Sequence, residues 1–308
     1  MKVLYIGKHG NAGNEDEEAI THALRELGHT VEPLRECKAR VWKKVPGIDL
    51  VLFNHWDNPD ILQQITIPKA FWYFDLVDYP KDPELNKRYE SRRKWMERTI
   101  PLVDIGFCTD GDWVADCPFD PQDKLHWLMQ GADERFMGRG AAHSCPTCHQ
   151  QWQGGDIMFA GGVGGGGAAR QSMIDELRER YGGRFTVVNR FHQKQLADMI
   201  ASHKIVIAPD SPITHDYWSN RVYLTLGFGG FLLHPRCRKL EEHYTDGKHL
   251  VMYEDRDKFW EYLNCYLGCS RAREEMQRNA LQHTWQHHTY KHRCERLISI
   301  VKQRLELK

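Results

Sequence analysis

The chain has no apolar run approaching the ~20 residues that a membrane-spanning helix requires. Its first residues, MKVLYIG, lead straight into a strand, with neither an apolar h-region nor a small-residue cleavage site. A soluble, intracellular protein is therefore expected. There is also no excess of one charge: 42 Lys and Arg stand against 42 Asp and Glu over 308 residues, so the chain as a whole is not built for strong nonspecific binding to nucleic acid. Internal repeats and coiled-coil heptads are missing, which excludes solenoids and long zippers. The nine cysteines are an odd number, and most are scattered singly through apolar segments such as Ile105 to Cys108. That usage suits reduced thiols rather than a disulfide framework.

What is present is an alternation of short apolar strands with longer amphipathic stretches. Strands are predicted at Val3 to Ile6, Asp49 to Asn54, Lys69 to Phe74, Asp104 to Thr109 and Lys124 to Leu128, then at Ile157 to Ala160, Arg184 to Val188, Lys204 to Ala208, Phe231 to Leu233 and Leu250 to Tyr253. Helices are predicted between them, including Glu15 to Leu27 and Tyr290 to Leu305. Strands alternating with helices form parallel α/β sheets. Between Gly131 and Gly155 the periodicity gives way to a stretch rich in Gly, His, Cys and Gln. The economical architecture is two Rossmann-like domains facing a cleft: residues 1–135, a linker or insertion at 136–155, residues 156–289, and a C-terminal helix at 290–308 crossing back to the first domain. Up to Gln130 there are 17 basic and 22 acidic side chains, so the remainder is basic and better suited to a diphosphate.

Two segments of the second half carry anion-binding chemistry. In YWSNRVYLTLGFGGFLLHP, residues 217–235, Ser219 and Asn220 are N-cap residue types, Arg221 falls in the first helical turn, and Gly227, Gly229 and Gly230 close the helix. Backbone N–H groups at such a terminus attract a phosphate, and an arginine adds a bidentate donor. An ordinary well-capped αβ unit has the same signature. In FAGGVGGGGAAR, residues 159–170, six glycines, among them Gly162, Gly164 and Gly165, follow a strand and precede Arg170. Without Cβ atoms the backbone there can approach a ligand closely. No Gly-Lys-Ser/Thr follows, so this is not a Walker A loop, and there is no clean dinucleotide fingerprint.

These two segments, with KQLADMIASHKIVIAP (194–209), DGKHLVMY (246–253) and HTYKHRCERL (288–297), resemble the glycosyltransferases of GT-B architecture, in particular the bacterial and phage group of spore-maturation CgeB-like proteins. FWYFD (71–75) and FCTDGDWV (107–114) extend the resemblance more loosely into the first half. It implies a nucleotide-sugar donor, a UDP-sugar, held by the C-terminal domain through Gly162, Gly164, Gly165, Arg170, Tyr217, Ser219, Asn220 and Arg221. It also implies a hydroxyl acceptor held by the N-terminal domain: a carbohydrate, a small molecule or a hydroxymethylated base of phage-type DNA. Many relatives carry a ribose-binding glutamate where this chain has Leu224, which leaves ribose recognition to Tyr217 or His215, or to a different mode of binding. A catalytically silent nucleotide-sugar-binding protein and a sugar-nucleotide epimerase of the same architecture are the alternatives.

Glycosyl transfer with inversion needs a base for the acceptor hydroxyl. Asp75, directly after the apolar run Ala70 to Phe74, is the leading candidate, and His9 in the first βα loop is the second. The anion sites stabilise the leaving diphosphate, and no catalytic metal is expected. Asp110-Gly-Asp112 has the D-x-D pattern of metal-chelating glycosyltransferases of the other large fold, but its position favours a turn. His143, Cys145, Cys148 and His149 have zinc-knuckle spacing and are candidate ligands for a structural zinc. A single basic helix is expected at residues 85–99, and it and the basic segment Arg35 to Lys44 are either solvated faces or backbone contacts for a DNA acceptor.

Overall fold

The computed structural model describes residues 1–10, 15–120, 122–138, 155–163, 167–189, 192–209 and 214–306. Gly164, Gly165, His143, Cys145, Cys148 and His149 lie outside the described residues. The chain divides into two compact units, Met1–Gln130 with Tyr290–Lys308, and Gly131–Thr289.

The first unit is a six-stranded parallel sheet made of β1 (Lys2–Gly7), β2 (Thr30–Arg35), β3 (Leu50–Phe53), β4 (Lys69–Tyr73), β5 (Ile105–Cys108) and β6 (Leu125–Trp127), in the order β2-β1-β3-β4-β5-β6. Successive side chains of a strand point to opposite faces, and helices cover both faces of this sheet, so both sets are apolar. Val3, Tyr5, Leu50, Leu52, Ala70 and Trp72 form one core with Ile20 and Leu24 of α1 (Asp16–Glu26). Leu4, Ile6, Val51, Phe53, Phe71 and Tyr73 form the other, against α2 (Pro59–Gln64) and α4 (Glu90–Thr99). The last helix belongs to this unit and packs on α1; Tyr290, Cys294, Leu297, Ile298 and Val301 make its buried stripe. The aromatic run Trp72, Tyr73, Phe74 is core and core margin, with Trp72 and Tyr73 buried.

Two local expectations are corrected in this unit, and the turn expected at Asp110 takes the form of a helix cap. β2 was not predicted, because TVEPLR carries a proline and little apolar alternation; it survives at the sheet edge, where Pro33 opposite Tyr5 has no outer ladder to donate to. The basic stretch at 85–99 is not one helix. It divides at Tyr89 (φ −88°, ψ 1°) into α3 (Pro83–Arg88) and α4, and the buried Tyr89 ring carries the Arg92 guanidinium 4.7 Å from its centroid. Asp112 does not join Asp110 in a metal-binding pair. Asp110 is 1 % exposed and caps α5 (Gly111–Ala115): its Oδ1 accepts from Trp113 N–H at 3.1 Å and its Oδ2 from Val77 N–H at 2.8 Å.

The second unit is a five-stranded parallel sheet of β7 (Ile157–Ala160), β8 (Phe185–Val188), β9 (Ile205–Ile207), β10 (Leu232–Pro235) and β11 (Val251–Tyr253), ordered β11-β10-β9-β7-β8. Its helices are α6 (Gly167–Tyr181), α7 (Gln193–Ala201), α8 (Arg221–Gly227), α9 (Leu240–His243), α10 (Arg256–Gly268) and α11 (Ser270–His287), with α12 (Tyr290–Leu305) returning to the first unit. The glycines after α8 have separate jobs. Gly229 (φ 86°) and Gly230 close a Schellman motif, in which Gly230 N–H donates to Thr225 O at 2.8 Å and Gly229 N–H to Leu226 O at 3.2 Å. Gly227 admits its neighbours: a Cβ there would meet the Ala132 Cβ at 2.6 Å.

In both sheets the strand order reverses beside the first strand of the unit, at β1/β3 and at β7/β9. Open α/β sheets bind ligands beyond the carboxyl ends of the strands at that reversal.

Candidate functional site

At the β7/β9 reversal the two predicted anion segments meet. Ala160, the last residue of β7, is followed by Gly161 at φ 144°, a region closed to L side chains. A Cβ on Gly161 would approach Arg221 Nη2 to 2.6 Å. Arg221 Nε donates to the Ala160 carbonyl at 2.5 Å and Nη1 to the Ser219 hydroxyl at 3.0 Å. Arg170, from the first turn of α6, donates through Nε to the Pro209 carbonyl at 2.8 Å, directly after β9, and through Nη1 to the Gly162 carbonyl at 3.2 Å. Both guanidinium carbons lie over the buried Phe159 ring, Arg221 at 4.9 Å and Arg170 at 5.8 Å from its centroid. Two cations so close repel one another. Carbonyl dipoles and an aromatic face offset that repulsion. A Cβ on Gly162 would meet nothing within 4 Å, so space is open there.

The loop leading into α8 is fixed by its neighbours. Thr214 Oγ1 donates to the Tyr217 carbonyl at 2.7 Å, and the buried Cys237 thiol donates to the Thr214 and His215 carbonyls at 3.2 and 3.1 Å. Trp218 is buried beside Tyr223 and His243, which sets Ser219 and Asn220 at the helix start. The capping roles of Ser219 and Asn220 are corrected: Asn220 has helical dihedrals (φ −55°, ψ −18°) and makes no side-chain cap bond, while the Ser219 hydroxyl accepts from Arg221.

At the carboxyl edge of the first unit, His9 follows β1 and Asp75 follows β4. His9 is 6 % exposed; its Nε2 lies 2.9 Å from the Tyr5 carbonyl, and its Nδ1 is 3.7 Å from Glu18 Oε1. Asp75 is open, its side chain 44 % exposed, with Oδ2 3.7 Å from His55 Nδ1 and 3.8 Å from Arg92 Nη2. His55 escaped the sequence reading although it stands two residues beyond β3. Its Nε2 accepts from Phe74 N–H at 3.1 Å, so the ring proton sits on Nδ1, toward Asp75. Burial lowers the His55 pKa below the usual imidazole value, with the Asp75 charge opposing, and the ring stacks on Tyr73 at 4.3 Å. Between the first and third strands, Asn54 Nδ2 donates to the Tyr5 hydroxyl at 2.8 Å.

The basic residues of α4 are largely engaged in holding this edge. Arg93 pairs with Asp78 at 2.7 Å, Arg98 with Asp57 at 2.7 Å and Lys94 with Glu90 at 2.7 Å, and Arg92 donates to the Leu76 carbonyl. Among the described residues no group of three or more His, Cys, Asp or Glu is arranged to hold a metal, and no helix is long and apolar enough to cross a membrane.

Residues 170–299, which include Arg170, the α8 loop and Arg221, match a family model described as glycosyl transferase-like. The chain is similar in structure to sucrose-phosphate synthase from Thermosynechococcus elongatus, with a TM-score of 0.74, 10 % identity and 100 % of each chain covered. It is also similar to an α-glucosyltransferase in complex with UDP and a 13-mer DNA, with a TM-score of 0.69, 9 % identity and 98 % and 100 % covered. HepE from Anabaena in complex with UDP-glucose gives a TM-score of 0.61 at 10 % identity, with 98 % and 100 % covered. No curated protein sequence matches the chain. The fold is GT-B, and residues 170–299 are similar to a glycosyl transferase-like family.

Proposed function

We propose that unit Gly131–Thr289 holds a UDP-sugar by its diphosphate at the β7/β9 reversal, between the Gly161–Gly162 turn, Arg170 and Arg221. We assign Gly164, Gly165, Tyr217, Ser219 and Asn220 to the same donor site on the motifs that carry them. The observation that carries this reading is the placement of two guanidinium groups over Phe159, Arg221 anchored to the carbonyl that ends β7 and Arg170 to one just beyond β9. UDP and UDP-glucose in structurally similar proteins support the choice of nucleotide, and the motifs of the C-terminal half support the narrower CgeB-like group.

In the transfer step the acceptor hydroxyl loses its proton to the Asp75 carboxylate as its oxygen bonds the anomeric carbon. The bond from that carbon to the β-phosphate oxygen breaks, and the electron pair leaves with UDP. The two arginines stabilise the charge that develops on the diphosphate, where fixed donors are most effective. His55 and Arg92 orient Asp75, and His9 is the alternative base. The test is a thermal-shift panel of UDP-, GDP- and ADP-sugars. A UDP-sugar at a hundred times its Kd adds about 2.7 kcal/mol to apparent stability. Arg170→Ala and Arg221→Ala are each expected to abolish the shift. If the shift survives both substitutions, the donor site is elsewhere.

A further inference from the structure

The segment Glu36–Lys44 is a 3₁₀ helix, so residues three apart share a side. One row is Glu36, Ala39 and Trp42; Ala39 is buried, and Trp42 and the following Val45 pack against the core below β3 and β4. The only carboxylate of the stretch therefore sits in the inward row and is half-buried. The outward rows carry Lys38, Arg40, Lys43 and Lys44, all exposed, and the exposed Arg35 precedes them. Among the described residues these five cations have no carboxylate partner within ion-pair distance. The contrast with α4, whose Arg93, Lys94 and Arg98 are each paired with an acid, is sharp. The rest of the first unit makes the patch more distinct still: outside these five cations, residues 1–130 and 290–308 carry 18 Lys and Arg against 24 Asp and Glu.

The patch also lies where the acceptor would be held. Arg35 is the last residue of β2 and stands in register with Gly7, the last of β1, from which the His9 loop departs. A Cβ at Gly10 would come within 2.8 Å of Arg35 Nη2, so the guanidinium rests on that loop. We infer that the acceptor is carried on nucleic acid, whose phosphate backbone is gripped by Arg35, Lys38, Arg40, Lys43 and Lys44 at the edge that bears His9 and Asp75. This deepens the proposed glycosyl transfer and rests on it. Phosphate contacts of this kind position a polymer without reading its sequence. A membrane surface fits less well, because interfacial binding needs an apolar face beside the cations. Here the apolar side chains Ala39 and Trp42 are turned inward, and only Val41, at 38 %, is an exposed large apolar group.

The experiment compares the full chain with its Arg40→Gln/Lys43→Gln/Lys44→Gln variant for binding to a labelled mixed-sequence DNA duplex at several salt concentrations. Vesicles containing phosphatidylglycerol are run alongside. The wild type is expected to bind the duplex with steep salt dependence. In the variant the slope of log K against log salt is expected to fall by about 0.9 for each contact removed, or about 3 in all. The UDP-sugar thermal shift is expected to be equal in both proteins. No salt-dependent duplex binding by the wild type, an unchanged slope in the variant, or binding to vesicles in preference to DNA would each overturn the inference. A wild type that shows the UDP-sugar shift but ignores DNA sinks this inference alone, whereas one that lacks the shift sinks the donor assignment.

Discussion

Arg221 lies over Gly161 so closely that a methyl group on that glycine would come within 2.6 Å of Nη2. The same glycine has φ 144°, so Gly161→Ala both strains the backbone and displaces the guanidinium. Backbone strain of this kind costs about 1–3 kcal/mol. Gly161→Ala should therefore lower the melting temperature and weaken UDP-sugar binding together. Gly162→Ala separates the two effects. Its Cβ meets no protein atom within 4 Å, so unliganded stability should stay within about 0.5 kcal/mol of wild type, yet the methyl group enters space assigned to the diphosphate. UDP-sugar affinity measured by calorimetry should fall at least about tenfold, a loss of about 1.4 kcal/mol. Unchanged affinity in Gly162→Ala would mean the phosphates do not lie there.

Asp75 and His9 compete for the role of base, and their surroundings set them apart. A base must reach the acceptor proton; Asp75 is open while His9 is 6 % exposed. Asp75→Asn is expected to lower kcat by about 10²- to 10⁴-fold while the UDP-sugar thermal shift and the melting temperature hold. His55→Ala, which removes the ring beside Asp75, should cost less in kcat. A larger kcat loss in His9→Ala than in Asp75→Asn would reverse the assignment.

Much of the fold was legible in the sequence. Ten strands fall at predicted positions because buried parallel strands are short apolar runs, such as Leu50–Phe53 and Ile157–Ala160. β2 was not legible, since an edge strand needs apolar residues on one face only and tolerates Pro33. The donor segments were readable as types, glycines and arginines after strands, but their convergence was not. Phe159 looks like any core aromatic in sequence, and only the fold brings it beneath Arg170 and Arg221. His55 was readable in principle, as a polar residue just beyond a predicted strand, but nothing local ties it to Asp75 twenty residues on. Asp110 is the opposite case: a suggestive D-x-D string becomes a helix cap because its oxygens face the N–H groups of Trp113, Val77 and Asp78.

That capping carboxylate makes the Asp75 loop depend on β5. Removing the acceptor for the Val77 and Trp113 N–H groups in Asp110→Ala leaves buried donors unpaired, at a cost of about 1–3 kcal/mol. Denaturant unfolding should show the loss. The variant should also lose acceptor turnover while keeping the UDP-sugar shift, because the damage lies in the first unit.

Two buried groups, one in each unit, should answer acid in opposite directions. Burial raises the Asp110 pKa from 3.8 to about 6, against backbone N–H bonds that favour the charge. Between about pH 4 and 6 the folded first unit thus holds a proton that the unfolded chain has released, and this group's contribution to stability falls as pH rises through that window. In the second unit His249 is buried against His283, with ring centroids 4.4 Å apart, and accepts from Thr245 N–H through Nδ1 at 3.0 Å. Burial first, then the neighbouring His283 and Lys248, lowers its pKa from 6.5 to about 4. Its contribution is present above pH 6.5 and is lost as pH falls toward 4, since the unfolded chain takes up the proton first. Hydrogen exchange resolved by segment checks both signs. Between pH 7 and 5, protection from Asp110 should rise at α5 and the loop at Val77, and should not do so in Asp110→Asn. Protection at the carboxyl end of α11, where His283 and His287 lie, should fall, and should fall less in His249→Gln. A parallel response of the two segments, or one unchanged by either substitution, would remove these two groups as the source of the pH dependence.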